Sequence, residues 1–300
     1  MVKIAFDPIY AHPLPEGHRF PMLKYELIPG QLLHEGTIWQ GQIFAPGPCS
    51  HETLLLTHTA GYLDDLTFLK LSPGHIRRIG FPLSQSLVQR ELCIAQGTID
   101  CCGYAIKYGV ALNVAGGTHH AFADRGEGFC LLNDMAVAAN YLLHHRLAKR
   151  IAIVDLDVHQ GNGTASIFRD EPRVFTFSMH GGHNYPFIKE KSNLDVPLAD
   201  GTGDETYLDI LKNSLGLIDF TVKPDFIFYL SGVDVLSTDK FGKLNLSEDG
   251  CLKRDEMVLG YCKERNIPCV IAMGGGYSPD IRHIVNAHCN TFRAAAKLWG

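Results

Sequence analysis

The stretch Ile-Ala-Ile-Val-Asp-Leu-Asp-Val-His-Gln-Gly-Asn-Gly, residues 151–163, begins as an apolar strand and ends in charged and glycine-rich sequence. Side chains alternate along a strand, which predicts that Asp155, Asp157 and His159 lie on one side of it. Burying two carboxylates and an imidazole together is costly unless a cation holds them, and a divalent metal ion does so most directly. The stretch therefore favours a metal site, with an ion-pair network at the strand end as the alternative.

The composition is that of a globular protein with a large core, since 46% of the 300 residues are hydrophobic and 20% are charged. The net charge of −5, without any run of Lys or Arg, gives no electrostatic basis for direct nucleic-acid binding. Nine scattered cysteines predict reduced thiols rather than a disulfide framework. With no signal-peptide pattern and no apolar run of membrane-spanning length, we expect a cytoplasmic protein without a membrane partner.

Apolar strands alternate with amphipathic helices along the chain. Strands are predicted in the opening stretch and at residues 1–6, 110–117, 174–178, 224–230 and 268–273. Helices are predicted near residues 22–35, 84–108, 132–145, 164–168, 204–220, 247–265 and 279–298. This order predicts a single-domain, three-layer α/β/α fold over residues 1–300, with a mostly parallel central sheet.

Polar or glycine-rich loops follow several of the predicted strands and carry His119, His120, residues 155–159, Asp234 and Tyr277. In open α/β sheets ligands bind outside the carboxyl ends of the strands, so these loops are predicted to share one crevice. The adjacent histidines follow a Gly-Gly turn and need polar partners, although a pair of solvated loop histidines is the alternative.

Three residues of this crevice could ligate one metal ion, namely Asp157, His159 and Asp234. Three protein ligands with a position left open for water are the arrangement of catalytic rather than structural zinc. No cysteines cluster at the predicted strand ends, which argues against a closed, cysteine-rich structural site.

Four short motifs occur in order: Gly-Gly-Thr-His-His at 116–120, Gly-Phe-Cys-Leu-Leu-Asn-Asp at 128–134, Asp-Leu-Asp-Val-His-Gln-Gly-Asn-Gly at 155–163 and Gly-Gly-Gly-Tyr at 274–277. Together they resemble the zinc-dependent histone deacetylase superfamily, which has the arginase/deacetylase fold. The loop around Gly128 and the Gln-Gly-Asn after His159 are most similar to the class IV branch and its bacterial relatives.

The resemblance implies an amidohydrolase whose zinc ion is held by those three ligands. His119 and His120 would flank the zinc-bound water, with His120 as general base and general acid. Tyr277 would donate its hydroxyl to the developing oxyanion opposite the metal.

Two further polar residues are implied to support the histidines. Asp155 resembles the carboxylate that holds His119. Many family members have a carboxylate at the position of Asn162, where it would face His120. We predict that the neutral amide of Asn162 still orients the ring but raises its basicity less than a carboxylate would.

The resemblance also implies a channel and a second ion. Phe129 would form one wall of a narrow channel for the acylated side chain, with ordinary packing as the alternative, and Gly128 and Gly275 would line it. A potassium ion would lie behind the zinc, held by Asp155, by the Ser178 hydroxyl and by backbone carbonyls that include that of Met179. An outer monovalent site near Phe168 and Val174 is expected on the same grounds.

We therefore expect a zinc enzyme that hydrolyses the amide of an N-acylated amine, with an acyl-lysine side chain as substrate. An acetylated small amine such as a polyamine is the alternative substrate, and the segments 12–19 and 180–185 are expected to select at the rim. A two-metal ureohydrolase on the same fold would need more Asp and His ligands than the chain offers. A non-catalytic acyl-lysine-binding protein would not need His119, His120 and Tyr277.

Overall fold

The computed structural model describes residues 1–300 and is built on one eight-stranded sheet. The strands are β1 (Lys3–Ala5), β2 (Ile43–Phe44), β3 (Val110–Asn113), β4 (Ile151–Asp155), β5 (Val174–Gly181), β6 (Leu194–Leu198), β7 (Phe226–Leu230) and β8 (Cys269–Ala272). Their order across the sheet is β2-β1-β3-β8-β7-β4-β5-β6, and every neighbouring pair is parallel. The α/β prediction is confirmed, and the sheet is parallel throughout.

Ten helices connect these strands. They are α1 (Lys24–His34), α2 (His51–Leu54), α3 (Ala60–Thr67), α4 (Pro73–Ile79), α5 (Gln85–Tyr108), α6 (Asp134–His144), α7 (Asn162–Ile167), α8 (Asp204–Thr221), α9 (Glu248–Glu264) and α10 (Ile281–Trp299). Side-chain caps explain several starting points, because a cap satisfies an otherwise unpaired amide of the first turn. The Ser84 hydroxyl accepts from the Leu87 amide at α5, and Asn133 accepts from the Ala136 amide at α6.

Alternate residues of the central strands face two separate apolar layers. Leu112 and Val154 belong to one core cluster, together with residues of α1, α8, α9 and α10. Ala111 and Ile153 belong to the other cluster, together with residues of α3, α5 and α6. Strands buried on both faces are typical of a parallel sheet between two helical layers, so the three-layer architecture is confirmed.

The structure corrects three local predictions. The edge strands β2 and β6 were not predicted. Strand β2 has only two residues, and β6 contains Pro197, a residue that argues against a strand except at the edge of a sheet. Strand β4 ends at Asp155, so the predicted strand alternation does not continue to His159. The helix expected at residue 164 begins at Asn162. These changes place residues 156–161 in a loop at the carboxyl edge of the sheet.

No helix of the structure has the length and apolarity needed to cross a membrane. All nine cysteines are buried, and none forms a disulfide.

Candidate active site

A pocket of about 700 Å³ opens at the carboxyl edge of the sheet. The loops after β3, β4, β7 and β8 all contribute to its lining, with His119, Asp157, Asp234 and Tyr277 among the residues supplied. The structure therefore brings together the loops that the sequence predicted to share a crevice. Parallel strands end at the same edge, which is why residues more than a hundred positions apart meet here.

Asp157, His159 and Asp234 form a compact group in which one ligand atom from each residue lies within 4.8 Å of the others. His159 Nδ1 lies 3.0 Å from Asp157 Oδ1 and 3.2 Å from Asp234 Oδ2. Asp234 Oδ2 is buried and accepts no hydrogen bond. A buried carboxylate oxygen without a hydrogen bond is costly unless a cation occupies the space beside it. The donor set fits a divalent metal ion such as zinc.

Backbone amides fix the remaining carboxylate oxygens of this group. The Gly275 amide donates to Asp157 Oδ2 at 2.8 Å, and the Val158 amide donates to Asp234 Oδ1 at 2.9 Å. A side chain at Gly275 would collide with both carboxylates, so only glycine allows the backbone to approach this closely. The ligand group is thus oriented before any ion binds.

Protonation in this group is unusual because the carboxylates are buried together. Burial, reinforced by the charge of Asp157, raises the pKa of Asp234 to about 7. Burial alone would lower the pKa of His159, but its hydrogen bond with Asp157 and the nearby carboxylate of Asp234 outweigh burial and raise that pKa to about 10. Without a metal, the group holds a proton at neutral pH.

The two adjacent histidines have different partners. His119 Nδ1 lies 2.7 Å from Asp155 Oδ2, and His120 Nδ1 lies 2.6 Å from Asn162 Oδ1. The ring centroids are 4.1 Å apart. A carboxylate therefore supports one imidazole and a neutral amide supports the other.

The partners separate the proton affinities of the two rings. For His119, the charges of Asp155 and Asp157 outweigh burial and raise the pKa. For His120, burial and the neighbouring His119 and His159 hold the pKa well below its usual range. Neighbouring groups whose pKa values are pushed apart are typical of acid–base sites. At neutral pH His120 is the ring that can accept a proton.

The pocket walls above these histidines are aromatic. The Phe129 ring lies 6.2 Å from that of Tyr277, and the Tyr185 ring lies edge-on to His120 at 5.0 Å between centroids. Gly128 has a φ of +52° and passes so close to His120 that a side chain there would contact the ring. Phe129, Gly128 and Gly275 all line this pocket.

Comparison with known proteins shows the family to which the chain belongs. The histone deacetylase domain model matches residues 18–292. This chain belongs to the histone deacetylase family. Histone deacetylase 2 of Arabidopsis thaliana is 31% identical over 89% of this chain and 72% of its own length. An uncharacterised protein of Picosynechococcus is 44% identical over 99% of both chains.

Two solved structures show the same fold. A histone deacetylase homologue complexed with SAHA aligns with a TM-score of 0.85 and 26% identity, over 99% of this chain and 84% of that one. A homologue from Aquifex aeolicus aligns with a TM-score of 0.82 and 26% identity, over 97% and 82% of the two chains. The expected arginase/deacetylase architecture is confirmed.

The residues expected to hold a potassium ion lie on the neighbouring strands β4 and β5. Asp155 on β4 pairs in register with Ser178 on β5, and both are buried, as is Met179. The Ser178 hydroxyl lies 3.0 Å from His180 Nδ1. Phe168 and Val174, near the expected outer site, lie in one apolar cluster.

The structure divides the two segments expected at the rim. Arg19, His183 and Tyr185 line the pocket. His12 and His180, in contrast, are buried and are not part of its lining. His12 follows β1 and His180 lies within β5, and both side chains turn toward the interior, which the sequence pattern does not specify.

Glu127 lies beside the site and was not predicted to have a role there. Its Oε2 accepts from the Tyr185 hydroxyl at 2.8 Å and lies 3.5 Å from Asn162 Nδ2. Its Oε1 accepts from Arg125 Nε at 3.1 Å. The carboxylate thus connects the aromatic wall to the amide that holds His120. Its position one residue before Gly128, inside a glycine-rich loop, was the only available signal.

Two buried basic side chains donate hydrogen bonds to backbone carbonyls of the loops that carry the site. The Arg254 guanidinium lies at the centre of α9, donates to the Gly232 carbonyl at 2.5 Å and pairs with Asp255 at 2.8 Å. Lys24 Nζ donates to the Gly274 carbonyl at 2.9 Å, and burial lowers the pKa of this lysine to about 8. A charged residue in a predicted helix usually faces solvent, so both residues escaped sequence analysis.

Proposed function

We propose that this family member is a zinc-dependent deacylase that hydrolyses the amide of an acylated lysine side chain. One observation carries the proposal: the three-ligand group contains the orphaned Asp234 Oδ2 and lies directly beside two histidines, of which one is paired with a carboxylate and the other with a neutral amide. Family membership supports amide deacetylation as the reaction class. The donor set supports zinc as the metal.

Asp157, His159 and Asp234 would hold the ion, which supplies a Lewis acid that polarises the amide carbonyl and lowers the pKa of water. The chain's own residues provide the proton transfers. Asn162 Oδ1 can only accept at 2.6 Å, so His120 carries its proton on Nδ1 and leaves Nε2 free as a base.

His120 would take a proton from the attacking water at Nε2 and return it to the leaving amine. Asp155 and Asp157 raise the pKa of His119 against the effect of burial, so a proton on this ring would be stabilised and would favour the negative charge that develops in the transition state. The Tyr277 phenol would donate to the carbonyl oxygen as that oxygen becomes an anion. Burial raises the pKa of Tyr277 well above its usual range, so the hydroxyl remains a donor.

The aromatic walls would hold the aliphatic stem of the substrate. Phe129 and Tyr185 both line the pocket above His120 and exclude water from the scissile bond. Gly128 and Gly275 would allow the extended chain to pass close to the backbone. An acylated lysine, with its long apolar stem and terminal amide, has the shape that such a channel accommodates.

We also propose that a potassium ion binds behind the zinc site, against Asp155, the Ser178 hydroxyl and the Met179 carbonyl. The in-register pairing of two buried polar residues supports this site, because a buried carboxylate favours a nearby cation. We further propose that residues 1–300 act as one domain in a reducing compartment such as the cytoplasm, since all nine cysteines are unpaired thiols.

The deciding experiment is an assay of purified, zinc-loaded protein on acyl-lysine peptides of increasing acyl length and on N-acetylspermidine. We expect peptide hydrolysis that a chelator abolishes and added zinc restores. Hydrolysis of N-acetylspermidine alone would make the protein an acetylpolyamine amidohydrolase. Zinc-loaded protein that binds these peptides without cleaving them would establish a non-catalytic acyl-lysine-binding protein and overturn the proposal.

A further inference from the structure

The mouth of the pocket carries a charge opposite to that of the whole chain. Arg19, Arg78 and Lys243 line the pocket, and all three are exposed. The carboxylates of the lining are those of Asp157 and Asp234, which lie at its floor and are the proposed metal ligands. The chain as a whole has a net charge of −5, so the cationic mouth is a local feature.

The two arginines of the mouth form no salt bridge within the chain. The Arg19 guanidinium lies over the Phe129 ring at 4.9 Å and near the Phe241 ring at 5.6 Å from its centroid. Stacking against aromatic faces orients the guanidinium and leaves its edge N–H groups available. Arg19 is therefore positioned at the channel wall without a protein carboxylate to receive its hydrogen bonds.

Arg78 is fixed at the mouth by its backbone. It lies in the last turn of α4, and its carbonyl accepts from the Gly128 amide at 3.1 Å. The adjacent carbonyl of Ile79 accepts from the Phe129 amide at 2.7 Å. These two bonds attach the end of α4 to the channel wall, so the Arg78 side chain begins next to the substrate path.

Lys243 has only a weak internal partner. Its Nζ lies 3.8 Å from Asp200 Oδ2. The other oxygen of this exposed carboxylate, Oδ1, lies 3.2 Å from His183 Nδ1. An exposed pair at this distance is easily exchanged for another carboxylate. The mouth can therefore offer up to three cations to a bound ligand.

We propose that this cationic mouth selects acyl-lysine substrates that carry a carboxylate next to the acylated residue, and that it disfavours polycationic amines. This specificity rests on the proposed deacylase function. Arginine binds carboxylates in a two-bond geometry, and an oriented guanidinium loses less freedom on binding than a free one. A protonated polyamine would bring its charges against the same cations.

Acidic side chains of a peptide and the α-carboxylate of free Nε-acyl-lysine share the required chemistry. We commit to the peptide, because Arg19 precedes α1 and Arg78 lies in the last turn of α4, so the two cations lie on separate segments of the mouth and can contact residues on both sides of an acylated lysine. Comparing free Nε-acetyl-lysine with its α-amide distinguishes the second source. A large preference for the free acid over the amide, without any preference among peptides, would overturn the peptide assignment.

The test uses zinc-loaded protein and three acetyl-lysine peptides of equal length, with Glu, Gln or Lys on both sides of the acetylated residue. We expect kcat/KM for the Glu peptide to exceed that for the Lys peptide about tenfold at low salt, and the ratio to fall in 0.5 M salt because charges at the mouth are screened. In the Arg19→Gln/Arg78→Gln double variant, the ratio should fall severalfold, with Lys243 left as the remaining cation of the mouth. The ratio compares substrates on one preparation, so partial inactivation does not affect it.

Arg173→Gln is the matched control, because Arg173 is exposed and paired with Glu171 away from the pocket. It should keep the wild-type ratio. Fluorescence anisotropy with labelled peptides measures the same preference without turnover, so the charge proposal is tested even if no peptide is cleaved. Equal affinities and equal kcat/KM for the Glu and Lys peptides, or an unchanged ratio in the double variant, would overturn it.

Discussion

The floor and the mouth of the pocket are built in different ways. The floor consists of Asp157, His159 and Asp234 with the adjacent histidines, all within loops that directly follow strands and nearly all held by buried hydrogen bonds. The mouth, formed by Arg19, Arg78 and Lys243, is exposed, as is the neighbouring side chain of Phe187. The floor side chains are held by hydrogen bonds to specific buried groups, whereas the charged side chains of the mouth have few partners within the chain.

This difference matches the roles proposed for the two regions, catalysis at the floor and substrate selection at the mouth. Groups that transfer protons or hold a metal must stay within a fraction of an ångström of their working positions, so they are best carried by rigid elements with supporting hydrogen bonds. Groups that choose among substrates can lie on exposed loops, where substitutions cost little stability. Substitutions in the floor should therefore change turnover or metal binding, and those in the mouth should change substrate preference.

The largest effect is expected from Asp234→Ala. Two remaining ligands rarely hold zinc, so the metal affinity should fall more than a hundredfold and activity should fall to background. Metal content after dialysis, together with circular dichroism, measures the effect. Asp209→Ala, on the exposed side of α8, is the control and should keep its metal. Unchanged metal content in Asp234→Ala would mean that the third ligand lies elsewhere.

Tyr277→Phe should affect the reaction but not the metal. Removing one donor to a developing oxyanion typically lowers kcat by about 10²–10³. We expect a loss of that size with normal zinc content and a nearly unchanged KM. Tyr104→Phe removes a phenol that packs on Phe44 outside the pocket and should leave kcat unaltered. Wild-type kcat in Tyr277→Phe would show that the Tyr277 hydroxyl does not stabilise the oxyanion.

Metal affinity should rise with pH. The metal-free group holds a proton because the pKa of His159 is raised to about 10, and a metal ligand must be deprotonated. Between about pH 7.5 and 9, where Asp234 with its pKa of about 7 is mostly ionised and His159 still holds its proton, each bound ion displaces one proton, so the association constant should rise about tenfold per pH unit. Calorimetry in buffers of different ionisation enthalpy measures the released proton. An association constant for the metal that does not change with pH would show that the metal-free group holds no such proton.

Asn162→Asp should move the pH profile rather than abolish activity. In the native chain, burial and the neighbouring His119 and His159 hold the pKa of His120 low. A carboxylate at position 162 would raise that pKa by about one unit or more, so the acid limb of kcat/KM should move to higher pH. Asn213→Asp, exposed on α8, controls for the added charge. An identical profile in Asn162→Asp would show that the amide does not limit basicity.

The smallest effect is expected from Phe187→Ser. This side chain is 91% exposed, and its ring contacts Tyr185 edge-on at 6.3 Å. Its loss should raise KM for acyl-lysine peptides about two- to fivefold through lost apolar contact, with kcat unchanged. Steady-state kinetics checks both constants. A large fall in kcat would show that the mouth is coupled to the chemistry and would break the comparison.

Much of the floor could be predicted because its residues are close in sequence to strand ends. The order of strands and helices indicated a parallel α/β sheet, and in such a sheet the loops after β3, β4, β7 and β8 must emerge at one edge. The unequal partners Asp155 and Asn162 could also be anticipated. Their distances to the rings, and the resulting separation of the two pKa values, required the structure.

Residues that act from a distance in sequence were not predicted. Glu127 reaches Tyr185 and Asn162, and Arg254 reaches the carbonyl of Gly232, only after the chain has folded. A lone carboxylate in a loop or a lone arginine in a helix resembles any solvated charge. Burial is a tertiary property, so sequence alone does not distinguish a bracing charge from a surface charge.

The sequence by itself determined the parallel α/β architecture, the membership in a family of deacetylases and the residues available as metal ligands. These follow from local periodicity and from short motifs, which depend on neighbouring residues. The tertiary structure alone decided the strand order, the orphaned oxygen of Asp234, the neutral state of His120 and the cationic mouth. Each of these depends on distances between side chains from separate loops, and electrostatic energies vary too steeply with distance and burial to be set by sequence order.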